Sequence, residues 1–513
     1  GGRVLLAPLG TVIPGLGPLT PREIGGVASE GMLVSEEELG LSSESDGIIV
    51  LDASVGVPGA KLFDVFPEAR DSIFHVGVTP NRPDALGHLG VARDVAALFG
   101  VEFSAPEPSA IARWSDESLE KLVSVENLDL ERCPHYGAAV VLDVIIAPSP
   151  AWLRWRLHKL GVRPINNVVD ITNLVLLGWG QPMHAFDLDR VRGGRVVVRR
   201  ARNDEPFTTL DGVARQLDAD DLVICDAEGP SALAGVMGGQ DSEIKDSTKR
   251  VLLECAYFTP RGIRRTSRRH TLGTESSFRF ERGVDWGAVP RVLEIASGLM
   301  GELAGGAAVR GAIHAKGEDP TLPVVRLRSH RLNALLGIDV PFGEATSILR
   351  RLGLEVIRDG SAEAEVRGAS FRPDISREAD LIEEVARVRG LDLIPSKIPA
   401  ILPQPPRVSG KLERSAAACA VSLGLSEALT YAFVSPKELE AVHAPPPVVR
   451  IQNPLSEERT VMRTSLLPGL LEALRRARRY GEEAVQLFAI GSRFLPAASE
   501  TTSIARPRRP EDA

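Results

Sequence analysis

The sequence predicts a multidomain α+β protein, and three observations carry that expectation. The chain has 513 residues, 43% of them hydrophobic, enough for three to five globular domains. Strand-like and helical runs are interleaved along its middle. Proline clusters at Pro106 and Pro108, and at Pro399, Pro403, Pro405 and Pro406, read as linkers.

The elements follow in order. Residues 1–75 are glycine-rich, with short apolar bursts at Val4–Ala7 and Gly47–Leu51, and read as a small all-β module. Leu86–Phe99 has a helical pattern, with Leu89, Val91, Ala92, Val95 and Leu98 broadly on one side and Gly100 as its C-cap. Residues 114–320 mix strand-like runs (Ala138–Val144, Gly194–Arg199) with helical ones (Pro150–Leu160), as in a large α+β domain. Arg328–Leu336 and Phe342–Leu352 are short helical runs, each closed by glycine. They read as a helix-turn-helix or, equally, as two packed helices of a small α+β domain. The final segment ends in SETTSIARPRRPEDA, which has no core-forming pattern.

Bulk properties exclude several classes. Sixty basic against 68 acidic residues leave a net charge of −8, so a general basic nucleic-acid footprint is missing and any RNA contact must be local. Cys133, Cys225, Cys255 and Cys419 are far apart and form no CxxC. They read as reduced thiols of a cytoplasmic protein, not a zinc site or disulfide framework. No apolar run approaches membrane-spanning length, and no signal-peptide pattern is present. The start, Gly1-Gly2-Arg3, lacks methionine and reads as that of a fragment or processed chain.

The segment from Gly161 to Asp187 is the densest in chemistry. Asn166, Asn167, Asp170, Thr172, Asn173, Gln181 and His184 sit between apolar runs. Buried polar groups need partners, so this density suggests a pocket that recognises something polar. Pro182 favours an extended Gln181, which would hold His184 at the mouth of a turn. Glu254 lies in VLLECAYF, a strand-like run of apolar neighbours, where a carboxylate must be paired or face solvent. In FRPDISREADLIEEVARVRG, Leu381, Val385 and Val388 form an apolar stripe, with Ser376 or Asp374 able to cap the helix. Asp380, Glu383 and Glu384 share a face by their i, i+3, i+4 spacing, with Asp374 on the approach to it. Such carboxylates repel unless a cation neutralises them. A hard ion such as Mg²⁺ suits oxygen-only ligands, while a solvated face with Glu383 paired to Arg387 is the plainer alternative.

PINNVVDITN and GQPMHAFD resemble the editing domain of bacterial phenylalanine–tRNA ligase beta subunits. Further matches follow in order: GVASEGMLVSEEELGL, TPNRPDALGHLGVARDVAALFG, LAGVMGG, LLECAYF, TESSFRFERGVD, FRPDISREADLIEEVARVRG and NPLSEERTVMRTSLLPGLL. The resemblance covers nearly the whole chain. It implies an OB-fold tRNA-binding β-barrel module at 1–75, entered part way through, and a small α+β connecting domain at 76–113. It further implies an editing domain of B3/B4 type at 114–320, a B5-type domain at 321–399, and the start of a truncated class II synthetase-like domain at 400–513.

The resemblance also implies a function. An alpha subunit would hold ATP and phenylalanine and form the aminoacyl bond. This chain would join it in an α2β2 heterotetramer, bind tRNA(Phe) and hydrolyse tyrosine mischarged onto it. A pocket for phenylalanine rejects an added hydroxyl only about a hundredfold, so a second site must remove tyrosine. Glu254 would accept the tyrosine hydroxyl, and His184 would contact the ligand or place a water. Thr172 and Asn173 would bond the ester end, and Ala234 and Gly235 would let the backbone touch the ligand. Each has a plainer alternative: an exposed-face glutamate, a structural histidine, a cap, a tight turn. Asp374, Asp380, Glu383 and Glu384 match the family's magnesium positions. Ala489 departs from the family, which usually carries glutamate there.

Two basic clusters stand out: Arg261, Arg264, Arg265, Arg268, Arg269 and His270, and Arg475, Arg476, Arg478 and Arg479. Either can neutralise phosphates or pair with neighbouring carboxylates. No phosphate loop of the GxxxxGK[ST] kind is present, and neither a membrane nor DNA is expected as a partner. A non-catalytic RNA-binding scaffold and a transcription regulator are the rival readings. The second helical run has only Arg350 and Arg351 against Glu344, too little for a recognition helix.

Overall fold

One strand, His135–Leu142, is buried at every position and organises the first part of the molecule. The computed structural model describes residues 2–41, 47–51, 55–107, 110–240, 243–396, 398 and 410–496. These divide into two units, residues 1–396 and 397–513. Pro108, Pro399, Pro403, Pro405, Pro406 and the tail from Ser499 lie outside the described residues.

His135–Leu142 pairs antiparallel with Val251–Tyr257, which pairs in turn with Met183–Asp187. Successive residues of a strand point to opposite faces. One face of this sheet (Tyr136, Val140, Leu252, Phe186) packs on a second sheet through Val198, Ile224 and Leu233. The other face (Ala139, Val141, Leu253, Cys255) packs on the helices Asn167–Trp179 and Val289–Ala304 through Ile171, Val175, Val292 and Ala296. Both faces are covered, so the strands read as continuous apolar runs. The second sheet runs in the order Ser124–Asn127, Arg195–Arg200, Leu222–Cys225, Pro230–Leu233, Met237–Gly238.

The amide-rich segment becomes that first helix and the edge strand. Asn166 caps the helix, its side chain accepting from the N–H groups of Val168 and Val169. Asn167 bonds the carbonyls of Ile145 and Leu303, and Asp170 accepts from Ser149 and from the Ile165 N–H. Gln181 donates to the Ala256 carbonyl. The polar density that suggested a pocket is therefore mostly used to close a helix and seal its packing.

Around this core, residues 2–51 form short antiparallel pairs: 3–4 with 50–51, 6–8 with 31–33, 12–13 with 17–18, and 22–24 with 27–29. A closed barrel is not traced among the described residues. His88–Phe99 forms the expected helix, with Gly100 left-handed at its C-cap, but a different face is buried. Gly90, Ala96 and Ala97 face inward while Val95 and Leu98 stay exposed. Arg93 and Asp94 decide this rotation. Arg93 lies over the Phe371 ring at 3.8 Å, and Asp94 accepts from Arg387.

Ser329–Leu336 and Phe342–Arg351 pack with Glu378–Arg389 on a three-stranded antiparallel sheet of Val324–Arg328, Glu363–Arg367 and Glu355–Asp359. This is the small α+β arrangement left open beside the helix-turn-helix. In the second unit, Leu467–Arg479 is helical as expected, but Leu467 and Leu471 of its apolar side are exposed.

Candidate functional site: a cavity between two sheets

Glu254 is the only charged side chain on its strand. It points, between Leu252 and Ala256, into the space between the sheets. Only 6% of it is exposed. Strand register sets His184 directly opposite Glu254. Directly opposed residues share a face, so carboxyl and imidazole line one wall. The Tyr136 hydroxyl, also fully buried, donates to Glu254 Oε2 at 3.3 Å.

His184 stacks edge-on against Phe186, two residues along the same face, with ring centroids 4.4 Å apart. Its Nε2 is sealed from solvent and has no hydrogen-bond partner. A Cβ on Gly238 would lie 2.7 Å from His184 Cε1 and 3.0 Å from its Nε2, so only glycine leaves room for the ring. Gly235, at φ +67°, meets Ile263, Phe258 and Phe280 within 3.1 Å of an added Cβ. Together His184, Glu254, Ala234, Gly235, Leu210 and Phe280 line a cavity of about 210 Å³. That volume suits one aromatic side chain better than a nucleotide. A larger cavity of about 450 Å³ lies near Glu36, Ser149, Arg154 and Asp170. Its polar groups are largely spent on each other, through the Arg154–Glu36 ion pair and the Ser149–Asp170 hydrogen bond.

Burial sets the protonation of both groups. Desolvation pushes the Glu254 carboxyl up to about 7, against the lowering effect of the Tyr136 hydroxyl. Desolvation holds the His184 imidazole down at about 4, so it is neutral near pH 7. The cavity thus pairs an acceptor for a hydroxyl with a neutral imidazole able to position a water.

The structure brings together four of the six expected pocket residues: His184, Glu254, Ala234 and Gly235. Thr172 and Asn173 are not among the lining residues. They lie on the Asn167–Trp179 helix, where the Thr172 hydroxyl donates to the Val169 carbonyl at 2.7 Å. Tyr136, Gly238 and Phe280 were missed. Gly238 lay in the LAGVMGG motif, and Tyr136 was the lone hydroxyl of an apolar strand run, a signal the residues did offer.

The acidic constellation has another arrangement. Asp374 accepts a bidentate pair from Arg372 at 2.8 and 2.7 Å. Glu384 accepts from Arg372 at 2.9 Å and from Arg387 at 2.7 Å. Burial alone would raise the Glu384 carboxyl, but these guanidiniums outweigh it and hold it at about 2. Asp380 turns back to the Ser376 and Arg377 N–H groups and closes the helix start, in place of the expected Ser376 or Asp374 cap. Glu383 is exposed. Among the described residues no three His, Cys, Asp or Glu side chains converge as metal ligands. In this chain Asp374, Asp380, Glu383 and Glu384 do not fit a magnesium ion, because arginine and backbone donors occupy the oxygens of the first, second and fourth. Arg82 extends the network, pairing with Asp84, Asp94 and Glu384 at 2.8, 3.0 and 3.8 Å. The neutralising cations are arginines, and they tie the RPDALGHLGVARD segment to the Glu378–Arg389 helix.

Three family models match this chain: the B3/4 domain at residues 132–305, the tRNA synthetase B5 domain at 325–391, and the phenylalanyl tRNA synthetase beta chain CLM domain at 394–510. The phenylalanine–tRNA ligase beta subunit of Syntrophus aciditrophicus is 43% identical over 96% of this chain and 62% of its own length. That of Geobacter sulfurreducens is 42% identical over 98% and 63%. Over nearly its whole length the chain is similar to phenylalanine–tRNA ligase beta subunits. It spans somewhat less than two thirds of the length of these relatives. An N-terminal fragment of the phenylalanyl-tRNA synthetase beta-subunit from Pyrococcus horikoshii covers 60% of this chain and 84% of its own, at 17% identity and a TM-score of 0.33. The cavity described above lies wholly within the B3/4 match.

Proposed function

We propose that the chain acts as the beta subunit of a phenylalanine–tRNA ligase in the cytoplasm and that its cavity hydrolyses tyrosine mischarged onto tRNA(Phe). The observation that carries this is the opposed pair of Glu254 and His184 in a cavity the size of one aromatic ring. A phenol entering beside Phe280 would donate its hydroxyl to Glu254, beside the Tyr136 hydroxyl. A phenylalanine ring in the same place would leave that carboxyl without a ligand donor, and unpaired buried polar groups are what make such sites discriminate. The neutral imidazole of His184, with its free Nε2, would hold the attacking water. The ester and ribose of the substrate extend beyond 210 Å³. The half-buried Asn173, beside Thr172, is assigned to that end.

Domain boundaries follow the partition at 75, 113, 320 and 399, with an OB-type module first. An alpha subunit that holds ATP and phenylalanine enters as the partner that the family resemblance implies. Exposed Leu412, Leu423, Leu429 and Tyr431 in the second unit give a partner subunit apolar surface to cover.

The test is release of tyrosine from Tyr-tRNA(Phe) by the 513-residue chain and by Glu254→Ala. The first should hydrolyse the ester, and the second should lose about tenfold or more of that activity. Equal release from both would favour a non-catalytic RNA-binding scaffold.

A further inference from the structure

The Pro260–Arg269 helix carries Arg261, Arg264, Arg265, Arg268 and Arg269, none of which lines the cavity. Its two sides differ sharply. Ile263, Thr266 and Ser267 are buried, while all five arginines are exposed. Arg269 pairs with Asp221 at 2.6 Å and Arg265 with Asp220 at 3.4 Å. For Arg261, Arg264 and Arg268, no ion pair occurs among the described residues. At 100° and 1.5 Å per residue these three fall in a stripe about 60° wide and about 10 Å long. Some other arginines near the surface are spent on neighbours. On the Val324–Arg367 sheet, Arg326 pairs with Glu363, Arg358 with Glu365 and Arg367 with Glu355.

The helix is also fixed against the cavity. Ile263 on its buried side packs at Gly235, which lines the cavity. At its far end Asp221, fully buried, accepts from Thr266 at 2.9 Å and pairs with His270 Nε2 at 2.6 Å. The arginine stripe is therefore a rigid outer surface of the element whose inner side supports the cavity.

We propose that Arg261, Arg264 and Arg268 bind the phosphodiester backbone of the RNA whose aminoacylated 3′ end enters the cavity. The identity of that RNA rests on the hydrolysis reading above. The chain's net charge of −8 repels a polyanion on average, so attraction must come from a local patch. Guanidinium forks match phosphate geometry, and about 10 Å spans roughly three phosphates of one strand. The stripe lends affinity and register, and Glu254 lends selectivity.

The experiment measures tRNA(Phe) binding by the 513-residue chain between 50 and 200 mM salt. It compares wild type, R261Q/R264Q/R268Q, and a charge-matched control, R326Q/R358Q/R367Q. Three lost phosphate contacts lower the log–log salt slope by about 2 to 3. Wild-type affinity should then fall about 20- to 40-fold more across that range than affinity of the 261/264/268 variant. The control should follow wild type, and single Arg264→Gln and Arg268→Gln chains should each carry about a third of the change. A 261/264/268 variant with the wild-type slope, or a control weakened equally, overturns the proposal. So does binding to anionic phospholipid vesicles that is lost while RNA binding persists, which would assign the stripe to a membrane surface. Failure of the hydrolysis reading shows separately, as wild type that binds RNA but releases no tyrosine.

Discussion

At the scale of single residues, burial in the cavity makes stability depend on pH. The Glu254 carboxyl, raised to about 7 from 4.5, is favoured neutral in the fold but ionises near 4.5 when unfolded. Its contribution to stability is thus present below pH 4.5 and lost as pH rises through 7. Glu254→Gln should therefore raise the melting temperature at pH 8, by a stabilisation of about 3 kcal/mol or less, and leave it nearly unchanged at pH 4. A variant equally or less stable at pH 8 would show that the carboxyl is not desolvated. His184 has the opposite dependence. Its folded value of about 4 lies below the unfolded 6.5, so stability declines as pH falls from 6.5 toward 4. Gly238→Ala should displace the imidazole and reduce tyrosine release at least tenfold, with little change in tRNA affinity. Loss of tRNA binding instead would assign Gly238 to the RNA surface.

At the scale of elements, the same physics explains what the sequence showed and what it hid. The Val251–Tyr257 strand was legible because one carboxylate interrupts an apolar run buried on both faces. Its neighbour His184 was legible as a residue but not as a partner, since strand register depends on long-range pairing. The amides before it were misleading, because a helix cap and carbonyl-seeking side chains give the same composition as a polar pocket. Asn166→Ala removes that cap and should cost about 0.5 to 2 kcal/mol in chemical denaturation. The acidic helix hid its partners for a similar reason. Arg82 is distant in sequence from Glu384, and Arg372, in the same motif, precedes the helix, so helical spacing reports neither. Arg372→Met leaves the buried Glu384 and the half-buried Asp374 with fewer cations, and should destabilise the first unit by about 3 to 5 kcal/mol. Magnesium or a chelator should leave the melting temperature of the isolated chain unchanged. A magnesium-dependent rise would restore the carboxylates as a metal site.

At the scale of the molecule, two distant motifs converge on each centre. LLECAYF and QPMHAFD meet in the cavity, while RPDALGHLGVARD and FRPDISREADLIEEVARVRG meet in the arginine–carboxylate network. The first centre holds a buried carboxyl with one hydroxyl donor and an imidazole Nε2 with no partner. The second is internally neutralised and is fitted to hold segments together. The cavity lies within residues 132–305, and the network joins residues 82–94 to residues 372–387. The most direct check of the cavity is a crystal structure of the chain soaked with tyrosine. The phenol oxygen should lie within about 2.6 to 3.2 Å of the Glu254 carboxyl, with the ring against Phe280. A tyrosine bound with its hydroxyl turned to solvent, or excluded from this cavity altogether, would contradict that placement.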